Sequence, residues 1–383
     1  MVEKLTQSDS FDFYQESNKE TEKQFFPKDP ELFNRYKASA ELQAIEQLYL
    51  SQLDEPYSLR LRESVSSQGT LYTAALKDRG ELTDAGLRRL EVETPISDET
   101  YHYYKSMAAH PTLHKLRIEL QPGITVDWCE GLALPIVEIE NLANNHTAQQ
   151  FYEDHKEFLI DRTGSPEISS EALAHQLCPH SMPPTPEAIS SQEILAHVMR
   201  LKRKGINPII VGISGRSGSG KTTLTKELVA LAEQYFSVAQ VSTDDYHRGR
   251  QWLENTYGVP WTNWDAPIVY DTNLLNYNLW QLSQGKSIDA RRFDFIQEEP
   301  ITEGKLNPTE LMIVEGIYAG SPDLASQRHL HIQVPTPLAT SIGRRLARDY
   351  SEGRFNTSLG DPKTILRYQL EIAEPMYQQQ LAA

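Results

Sequence analysis

One short glycine-rich segment, Gly215-Arg-Ser-Gly-Ser-Gly-Lys-Thr-Thr223, constrains the fold of this chain more than any other feature. It follows an apolar run, Pro208 to Ser214, that is typical of a buried strand, and it leads into a helical pattern over Leu224 to Tyr235. Glycines at this spacing let backbone N–H groups converge on phosphate oxygens at a helix N-terminus. The segment therefore predicts a P-loop NTPase fold with a parallel α/β sheet, from about Asn207 onward.

The P-loop pattern gives roles to its own residues and to one later carboxylate. Lys221 is predicted to reach the β- and γ-phosphates of ATP, and the Thr222 hydroxyl to bind Mg²⁺. The strand that starts at Leu311 ends in Glu315, which suits a Walker-B-like position on Mg²⁺ or its waters. The predicted ATP-binding residues are Gly215, Ser217, Gly218, Ser219, Gly220, Lys221, Thr222 and Thr223.

A second carboxylate, Asp244, ends another predicted strand. Side chains at the C-terminal edge of a parallel sheet point toward the ligand crevice. An aspartate near Mg²⁺ can accept the proton of an attacking hydroxyl, so Asp244 is the candidate general base. The alternative is a carboxylate that only caps the next turn. For the nearby His247, contact with substrate and capping of a turn both stay open.

A later helical pattern carries apolar residues on one face and arginines on the other. The arginines are Arg344, Arg345 and Arg348, and Arg354 follows the helix. Surface arginines are usually only solvated, but four of them near a phosphate site fit a lid that neutralises transferred charge. We therefore predict catalytic roles for Arg344 and Arg348, together with Lys221 and Asp244.

The ordered motifs extend over about 206–378. They are Gly-Arg-Ser-Gly-Ser-Gly-Lys-Thr, Ser242-Thr-Asp244-Asp-Tyr, Asn263-Trp-Asp265-Ala-Pro267 with Asp271, Phe293-Asp294-Phe295, Val314-Glu315-Gly316-Ile317, and Arg344-Arg345 with Arg348-Asp349 and Gly353-Arg354. As a set they resemble the uridine kinase / phosphoribulokinase family. The resemblance implies that Asp244 is the base, that Asp265 holds the acceptor ribose and that the arginines form a lid. The substrate-binding residues it implies are Asp265, Phe293, Asp294 and Arg354.

This chain departs from uridine kinases at one place. Where they carry a His and an Arg that face the nucleoside, it has Glu298 and Pro300. The expected acceptor is accordingly a nucleoside or another small, sugar-like hydroxyl compound. The family resemblance also makes a homo-oligomer one expectation.

The N-terminal half has a different pattern, short strands in which charged and apolar residues alternate. Ser58 to Arg62 and Arg89 to Glu93 are examples. One interpretation is an antiparallel sheet with a solvated charged face and cross-strand ion pairs. The other is a closed antiparallel barrel whose charged interior offers cations to a polyphosphate and carboxylates to a divalent metal.

The order of these segments favours the barrel. They are Glu20-Thr-Glu22-Lys-Gln24, Ile45-Glu-Gln47, Leu59-Arg60-Leu-Arg62, Ala75-Leu-Lys77, Arg89-Leu-Glu91-Val-Glu93, Lys115-Leu-Arg117, Val126-Asp127 and Glu138-Ile-Glu140. Over about 18–177 the series resembles the CYTH (triphosphate tunnel metalloenzyme) family, with Gln24 where that family has Lys. The resemblance implies an eight-stranded tunnel that holds a triphosphate with Mg²⁺ or Mn²⁺. Its implied phosphate-binding residues are Arg60, Arg62, Lys77, Arg89, Lys115 and Arg117. Its implied metal-binding or water-activating residues are Glu20, Glu22, Glu91, Glu93, Glu138 and Glu140.

Composition sets the remaining expectations. The 383 residues carry a formal charge of −16 and no long basic run, which argues against a nucleic-acid partner. Two cysteines fit a reducing cytoplasm, and the polar start of the chain and the absence of a long apolar run argue against a signal peptide or a membrane span. We expect a flexible N-terminus over 1–17, a tunnel domain over 18–177, a Pro-rich linker and connecting helix over 178–205, and a kinase-like domain over 206–383.

Three functions remain open on the sequence. The first is an ATP-dependent kinase acting on a small hydroxyl acceptor, with an appended tunnel that binds polyphosphate or nucleotide. The second is a metal-dependent phosphohydrolase, in which the tunnel cleaves tripolyphosphate, pyrophosphate or a nucleoside triphosphate and the kinase-like half is regulatory. The third is a sensor that binds nucleotides at both places with little turnover. The partners are then ATP and a small acceptor, with inorganic polyphosphate for the tunnel.

Overall fold

The computed structural model describes residues 19–37, 41–107, 109–142, 144–179, 185–352, 354 and 361–382. The chain divides into two compact units, Met1–Pro184 and Thr185–Ala383. The expected flexible segment at 1–17 lies outside the described residues, as does the part of the expected linker at 180–184. In the ranges just given, no helix combines the length and the apolar character that crossing a membrane requires.

The first unit is built on strands. They are β1 (Lys19–Pro27), β2 (Gln43–Tyr49), β3 (Tyr57–Ser66), β4 (Gly69–Asp78), β5 (Glu81–Thr83), β6 (Gly86–Pro95), β7 (Thr112–Gln121), β8 (Ile124–Cys129), β9 (Ile136–Glu140) and β10 (Leu159–Asp161). Its helices are α1 (Pro30–Lys37), α2 (Asp98–Met107), α3 (His146–His155) and α4 (Ser170–Leu177).

Eight of these strands form a closed antiparallel barrel. Their order is β1-β9-β8-β7-β2-β3-β4-β6, and β6 pairs back to β1 with Glu22 opposite Leu87. The short strands β5 and β10 extend β6 and β1 at the edges. The predicted barrel is confirmed, and the alternative of an open sheet is wrong because β1 hydrogen-bonds to both β9 and β6.

The alternation read from the sequence sets the two faces of the barrel wall. Along β3, Leu59 and Leu61 are fully buried in the core, whereas Arg60 and Arg62 line the interior cavity. Successive side chains of a strand point to opposite faces, so the apolar residues face outward and the charged residues face inward. The barrel therefore has the reverse of the usual arrangement, with its charges inside.

The second unit has six strands and seven helices among its described residues. The strands are β11 (Ile209–Ser214), β12 (Val238–Ser242), β13 (Ile288–Asp294), β14 (Glu299–Leu306), β15 (Leu311–Glu315) and β16 (Leu330–Gln333). The helices are α5 (Ser191–Arg203), α6 (Lys221–Ala232), α7 (Arg250–Tyr257), α8 (Thr272–Ser283), α9 (Leu338–Ser351), α10 (Pro362–Tyr368) and α11 (Glu374–Ala382), with a π-helical turn, Gln369–Ala373, between the last two.

A parallel sheet of order β12-β15-β11-β16 forms the centre of this unit, as predicted, and β13 and β14 form a separate antiparallel hairpin. Ile209 and Val211 of β11 pack on one side of the sheet with Ile194 of α5, and Ile210 packs on the other side with Leu279 of α8. Both faces of the sheet are covered, which explains why β11 is an unbroken apolar run. The carboxyl ends of the parallel strands carry Glu315 and lead to Asp244.

Candidate functional site

The P-loop connects the end of β11 to the start of α6. Gly218 has φ +81°, and a Cβ there would collide with the backbone oxygen of Ser341 in α9. Gly220 has φ +90° and is the N-cap of α6. Both positions have the left-handed backbone that glycine adopts readily, and Gly218 also needs the absence of a side chain because Ser341 lies so close. The loop thus ends at a helix N-terminus, where free N–H groups and the helix dipole favour an anion.

Two side chains of the loop, Lys221 and Thr222, are of the types that bind phosphate and metal. Lys221 is buried, and its Nζ donates to the backbone oxygen of Arg216 at 3.3 Å. Burial lowers the pKa of Lys221, and the carboxylates of Asp244 and Glu315 partly oppose this. The Thr222 hydroxyl donates to Oε2 of Glu315 at 3.1 Å. Hydroxyl and carboxylate oxygens are ligands that Mg²⁺ accepts, so this pair fits the predicted metal position.

The other predicted loop residues lie around this pair. Ser217 lines the cleft and accepts from a guanidinium nitrogen of Arg348 at 3.4 Å. Ser219 Oγ is buried and has no hydrogen-bond partner among the described residues. Thr223 is exposed on the first turn of α6. The structure therefore places a free buried hydroxyl in the loop.

A cleft of about 90 Å³ lies beside the loop. The residues around it include Ser217, Lys221, Thr222, Asp244, His247, Trp264, Asp265, Tyr270, Phe293, Phe295, Glu298, Glu315, Arg345, Arg348, Asp349 and Arg354. Asp244 follows β12, and its Oδ1 is buried without a hydrogen-bond partner in the part of the chain that is described. A buried acceptor left open in this way is costly unless a ligand supplies the missing donor. The cleft thus combines nucleotide-binding groups with an unpaired carboxylate oxygen.

Asp265, which also lines the cleft, is held by several hydrogen bonds. Its Oδ2 accepts from the Tyr368 hydroxyl at 2.6 Å and from Arg345 at 3.4 Å. Its backbone oxygen accepts from the Tyr318 hydroxyl at 2.7 Å. A carboxylate fixed at this many points is suited to holding a substrate hydroxyl in one position.

His247 stands in an aromatic wall of the cleft. Its ring lies 4.5 Å from those of Tyr270 and Phe293 and 5.9 Å from that of Trp264. Both ring nitrogens are buried and lack a hydrogen-bond partner among the described residues. Burial lowers the pKa of His247, so the ring is neutral at pH 7 and offers one donor and one acceptor. These two groups are available to a bound molecule.

The arginines of α9 do not share one solvent-facing side. Arg345 is buried and pairs with Asp265 at 3.4 Å and with Asp349 at 3.3 Å, which corrects its expected place on the exposed face. The two carboxylates offset the cost of burying its charge. Arg348 pairs with Asp349 at 2.7 Å and lines the cleft. Arg344 is exposed, with a guanidinium nitrogen 3.9 Å from where a Cβ of Gly220 would be.

The remaining predicted substrate residues separate into two groups. Phe293 lines the cleft, and Arg354 does too, with its guanidinium 3.8 Å from the centroid of the Phe295 ring. Asp294 instead accepts from the N–H groups of Ile296 at 2.8 Å and Gln297 at 3.0 Å. Its carboxylate is thereby used to cap the turn between β13 and β14.

Glu298, at the position of the departure noted above, is buried in the cleft with φ +56°. Its carboxylate is bound by the guanidinium of Arg250, which also pairs with Glu254 at 3.3 Å. The negative charge of Glu298 is therefore compensated within the protein, and it does not present an isolated anion to a ligand.

The barrel interior holds a second cavity, of about 490 Å³. All twelve charged residues that the sequence assigned to the tunnel line it. The cations are Arg60, Arg62, Lys77, Arg89, Lys115 and Arg117, and the carboxylates are Glu20, Glu22, Glu91, Glu93, Glu138 and Glu140. Side chains of both signs thus share one enclosed space, which suits a polyanion bound together with a cation.

The interior cations are paired with carboxylates. Arg60 binds Glu93 at 2.9 Å, Lys77 binds Glu91 at 2.8 Å and Glu20 at 3.1 Å, Arg89 binds Glu22 at 2.7 Å, and Arg117 binds Glu138 at 2.6 Å. Gln24 donates to Glu138 at 3.0 Å, so the amide occupies a place beside the same carboxylate. Across the described residues, no three His, Cys, Asp or Glu side chains come together as a metal site would require.

Two of the carboxylates share a hydrogen bond. Burial, helped by the hydrogen bond to Glu91 and opposed by the attraction of Lys77, raises the pKa of Glu20 to about 8. For Glu91, burial is outweighed by Lys77, by the hydrogen bond from Glu20 and by Arg60, which hold its pKa far below the ordinary range. The two carboxylates therefore share one proton near neutral pH.

Asp127, to which the sequence assigned no role, is buried and contacts two of the tunnel cations. It lies opposite Arg117 on β7 and β8, and it accepts from both Arg117 and Lys115 at 2.6 Å. Its burial is outweighed by these two cations, which keep the pKa of Asp127 well below its usual value. A lone aspartate in the apolar strand Ile124–Cys129 was the signal that could have revealed it. Asp127 anchors two of the predicted phosphate-binding cations.

Replacing Asp127 by asparagine should destabilise the N-terminal unit by about 2–3 kcal/mol, because two buried cations lose their charged partner. Calorimetric and urea unfolding of the full chain would measure the change. Glu153→Ala is the control, since Glu153 pairs with Lys156 on the exposed surface at the end of α3, where solvent screens the pair and its loss should change the stability little. Equal, small effects of both substitutions would show that Asp127 does not anchor the tunnel.

Comparison with known proteins identifies relatives of the second unit. A sequence model of the Phosphoribulokinase / Uridine kinase family matches residues 210–358. A uridine kinase of Staphylococcus epidermidis is 34% identical over 173 residues, which is 44% of this chain and 80% of that protein. A uridine kinase of Macrococcus caseolyticus is 35% identical over 176 residues, again 44% of this chain and 80% of that protein.

Two solved structures show weaker likeness. The D-glycerate 3-kinase of Cryptococcus neoformans has a TM-score of 0.36 and 15% identity, covering 49% of this chain and 86% of that one. An inorganic triphosphatase has a TM-score of 0.25 and 23% identity, covering 40% of this chain and 93% of that one. Likeness at this level does not establish a function. The sequence relatives and the P-loop geometry do establish the family: through its C-terminal unit, the chain belongs to the phosphoribulokinase / uridine kinase family.

Proposed function

We propose that the C-terminal unit is an ATP-dependent kinase that transfers the γ-phosphoryl group to a hydroxyl of a nucleoside or a similar small acceptor. One observation carries the proposal. Lys221 and Thr222 of the P-loop line the same cleft as Asp244, whose buried Oδ1 has no hydrogen-bond partner among the described residues. A nucleotide-binding loop beside an open carboxylate is what transfer to an alcohol needs.

The proposed mechanism gives each side chain one task. Asp244 accepts the proton of the attacking hydroxyl as the oxygen bonds to the γ-phosphorus and ADP leaves. Lys221 neutralises charge on the β- and γ-phosphates, and Arg344 and Arg348 neutralise charge on the moving group. Thr222 and Glu315 would hold Mg²⁺, which would supply positive charge to offset that of the phosphates.

The acceptor is proposed to bind on the side of the cleft away from the loop. Asp265 and Arg354 would hold its hydroxyl groups, and Phe293 would pack against its ring. His247 supplies a neutral donor and acceptor within the aromatic wall. The curated relatives are named uridine kinases, which supports a nucleoside acceptor. The pair Glu298 and Pro300 makes other sugar-like acceptors part of the test.

The experiment is a transfer assay with γ-labelled ATP and Mg²⁺, run over a panel of nucleosides, sugars and sugar alcohols. Label that moves to one acceptor, and fails to move in Lys221→Ala, would establish the kinase and identify its substrate. ATP consumption with no labelled acceptor would contradict it. The sensor hypothesis fails if either unit turns over at about 1 s⁻¹ or faster.

The tunnel gives a second candidate function, favoured by the six cations predicted from the sequence, all of which line one cavity. We propose that it binds a linear polyphosphate, and that with Mg²⁺ or Mn²⁺ it is a candidate tri- or pyrophosphatase. The proposed metal carboxylates would have to leave their present cation partners, such as Arg117 for Glu138, when the ligand enters.

Phosphate release from tripolyphosphate or pyrophosphate tests this second function. If the tunnel hydrolyses them, release should survive Lys221→Ala and fall at least about 100-fold in Glu138→Ala, which removes a proposed metal carboxylate and one of the two carboxylate partners of Arg117. Binding of tripolyphosphate without release, measured by calorimetry, would identify the tunnel as a binding site only. Release that is lost in Lys221→Ala would assign the hydrolysis to the P-loop instead.

A further inference from the structure

The last helical segment of the C-terminal unit, α10 to α11, contacts both sides of the cleft. Tyr368 ends α10 and reaches Asp265, and Glu374 begins α11 and reaches Arg216 of the P-loop. Both side chains are buried. The segment therefore touches the proposed acceptor carboxylate and the nucleotide-binding loop at the same time.

Tyr368 binds Asp265 through a single hydroxyl. The hydroxyl donates to Oδ2 of Asp265 at 2.6 Å and accepts from the backbone N–H of the same residue at 3.0 Å. Because the carboxylate and the backbone N–H of Asp265 both bond to the same Tyr368 hydroxyl, the side-chain torsion of the aspartate is fixed. Arg345, stacked over the Tyr368 ring at 5.7 Å, also reaches Oδ2. Both side-chain bonds to Asp265 thus use the same carboxylate oxygen, Oδ2.

Glu374 binds the P-loop through Arg216. Its two carboxylate oxygens accept from Nε and from a terminal nitrogen of Arg216, both at 2.7 Å, and the other terminal nitrogen donates to the backbone oxygen of Thr336 at 2.9 Å. A two-bond guanidinium–carboxylate pair fixes direction as well as distance. The backbone oxygen of Arg216 also receives Lys221 Nζ at 3.3 Å. Glu374 thereby fixes Arg216, the residue whose backbone oxygen accepts the hydrogen bond from Lys221.

We propose that Tyr368 and Glu374 are positioning residues, Tyr368 aligning Asp265 for the acceptor and Glu374 aligning the P-loop for the nucleotide. The assignment rests on the proposed kinase function. Neither residue touches the reacting atoms, so each acts through its partner. If a residue has only a structural role, its substitution should weaken the binding of acceptor and of ATP together. If each residue positions one site, its substitution should weaken the binding of one substrate only.

The test measures KM for acceptor and for ATP, with kcat, in the full chain. Tyr368→Phe keeps the ring and loses the hydroxyl, and we expect the acceptor KM to rise about 10-fold with the ATP KM within about 2-fold. Glu374→Gln keeps the size of the side chain and loses its charge. We expect its ATP KM to rise about 5- to 10-fold and its acceptor KM to change little. Tyr377→Phe is the matched control, since it loses one bond from the same segment, to Gln333 at 3.2 Å.

Melting temperature and the affinity for ATP, measured by calorimetry, are recorded for each variant. The inference is overturned if Tyr368→Phe raises both KM values alike, or neither, or behaves as Tyr377→Phe does. A parallel loss of stability and of both affinities in Glu374→Gln would reduce that residue to a structural role. Failure of the unsubstituted protein to phosphorylate any acceptor overturns the proposed function and with it the role of Tyr368, while ATP affinity still decides the role of Glu374.

Discussion

Asp244→Asn should lower kcat for phosphoryl transfer by about 10³-fold, with little change in the affinity for ATP. The substitution keeps the shape of the side chain and removes its ability to accept a proton. Asp244 is the cleft residue whose Oδ1 is buried and lacks a partner among the described residues, so an attacking hydroxyl is the donor it is placed to receive. Initial rates of labelled transfer, at saturating ATP and varied acceptor, measure the effect.

The neighbouring carboxylate provides the control. Asp245 is oriented away from this task, since its Oδ1 accepts from the backbone N–H of Phe293 at 3.1 Å. An asparagine there can still accept that bond, so Asp245→Asn should stay within about 3-fold of the unsubstituted rate. If the two variants lose equal activity, or if Asp244→Asn loses less than about 10-fold, Asp244 is not the base.

Lys221→Ala should lower kcat/KM for phosphoryl transfer by about 10³-fold, and should leave any phosphate release by the tunnel unchanged. The lysine is buried and lines the cleft, and the proposed mechanism uses its charge to neutralise the β- and γ-phosphates. Removing it leaves those phosphates without their nearest cation in a cleft where solvent does not replace it. Parallel assays with labelled ATP and with tripolyphosphate separate the two activities in one protein.

Lys226→Ala is the control for this substitution. It lies one turn later on α6 and is exposed, so both activities should stay within about 2-fold. Transfer that persists in Lys221→Ala would contradict the kinase proposal. A simultaneous loss of phosphate release would mean that the hydrolysis also depends on the P-loop.

The sequence predicted those parts of the molecule that local chemistry determines. The P-loop followed from Gly218 and Gly220, whose backbone conformations only glycine adopts readily. The charged barrel interior followed from alternation, because a strand sends neighbouring residues such as Leu59 and Arg60 to opposite faces. In both cases a few adjacent residues were enough to indicate the geometry.

What the sequence left open depends on contacts between distant parts of the chain. Tyr368 and Asp265 are 103 positions apart, and Arg345 and Asp265 are 80 apart. Helical periodicity separates one face of α9 from another, but it does not tell a solvent-facing arginine from one that meets a buried carboxylate. Asp294 fits a family motif by its position, yet the turn that follows β13 uses its carboxylate.

The pairing of charges inside the barrel decides which molecules can enter it. A phosphate chain gains nothing by approaching a cation that a carboxylate already satisfies, unless it brings more oxygens to that cation than the carboxylate does. A dense, multiply charged anion meets this condition, whereas a single phosphate group offers little more than the resident glutamate. Each displaced glutamate then loses its cation partner and gains by meeting a divalent cation. If the tunnel binds a polyphosphate as proposed, we therefore expect polyanion and metal to enter together more readily than either alone.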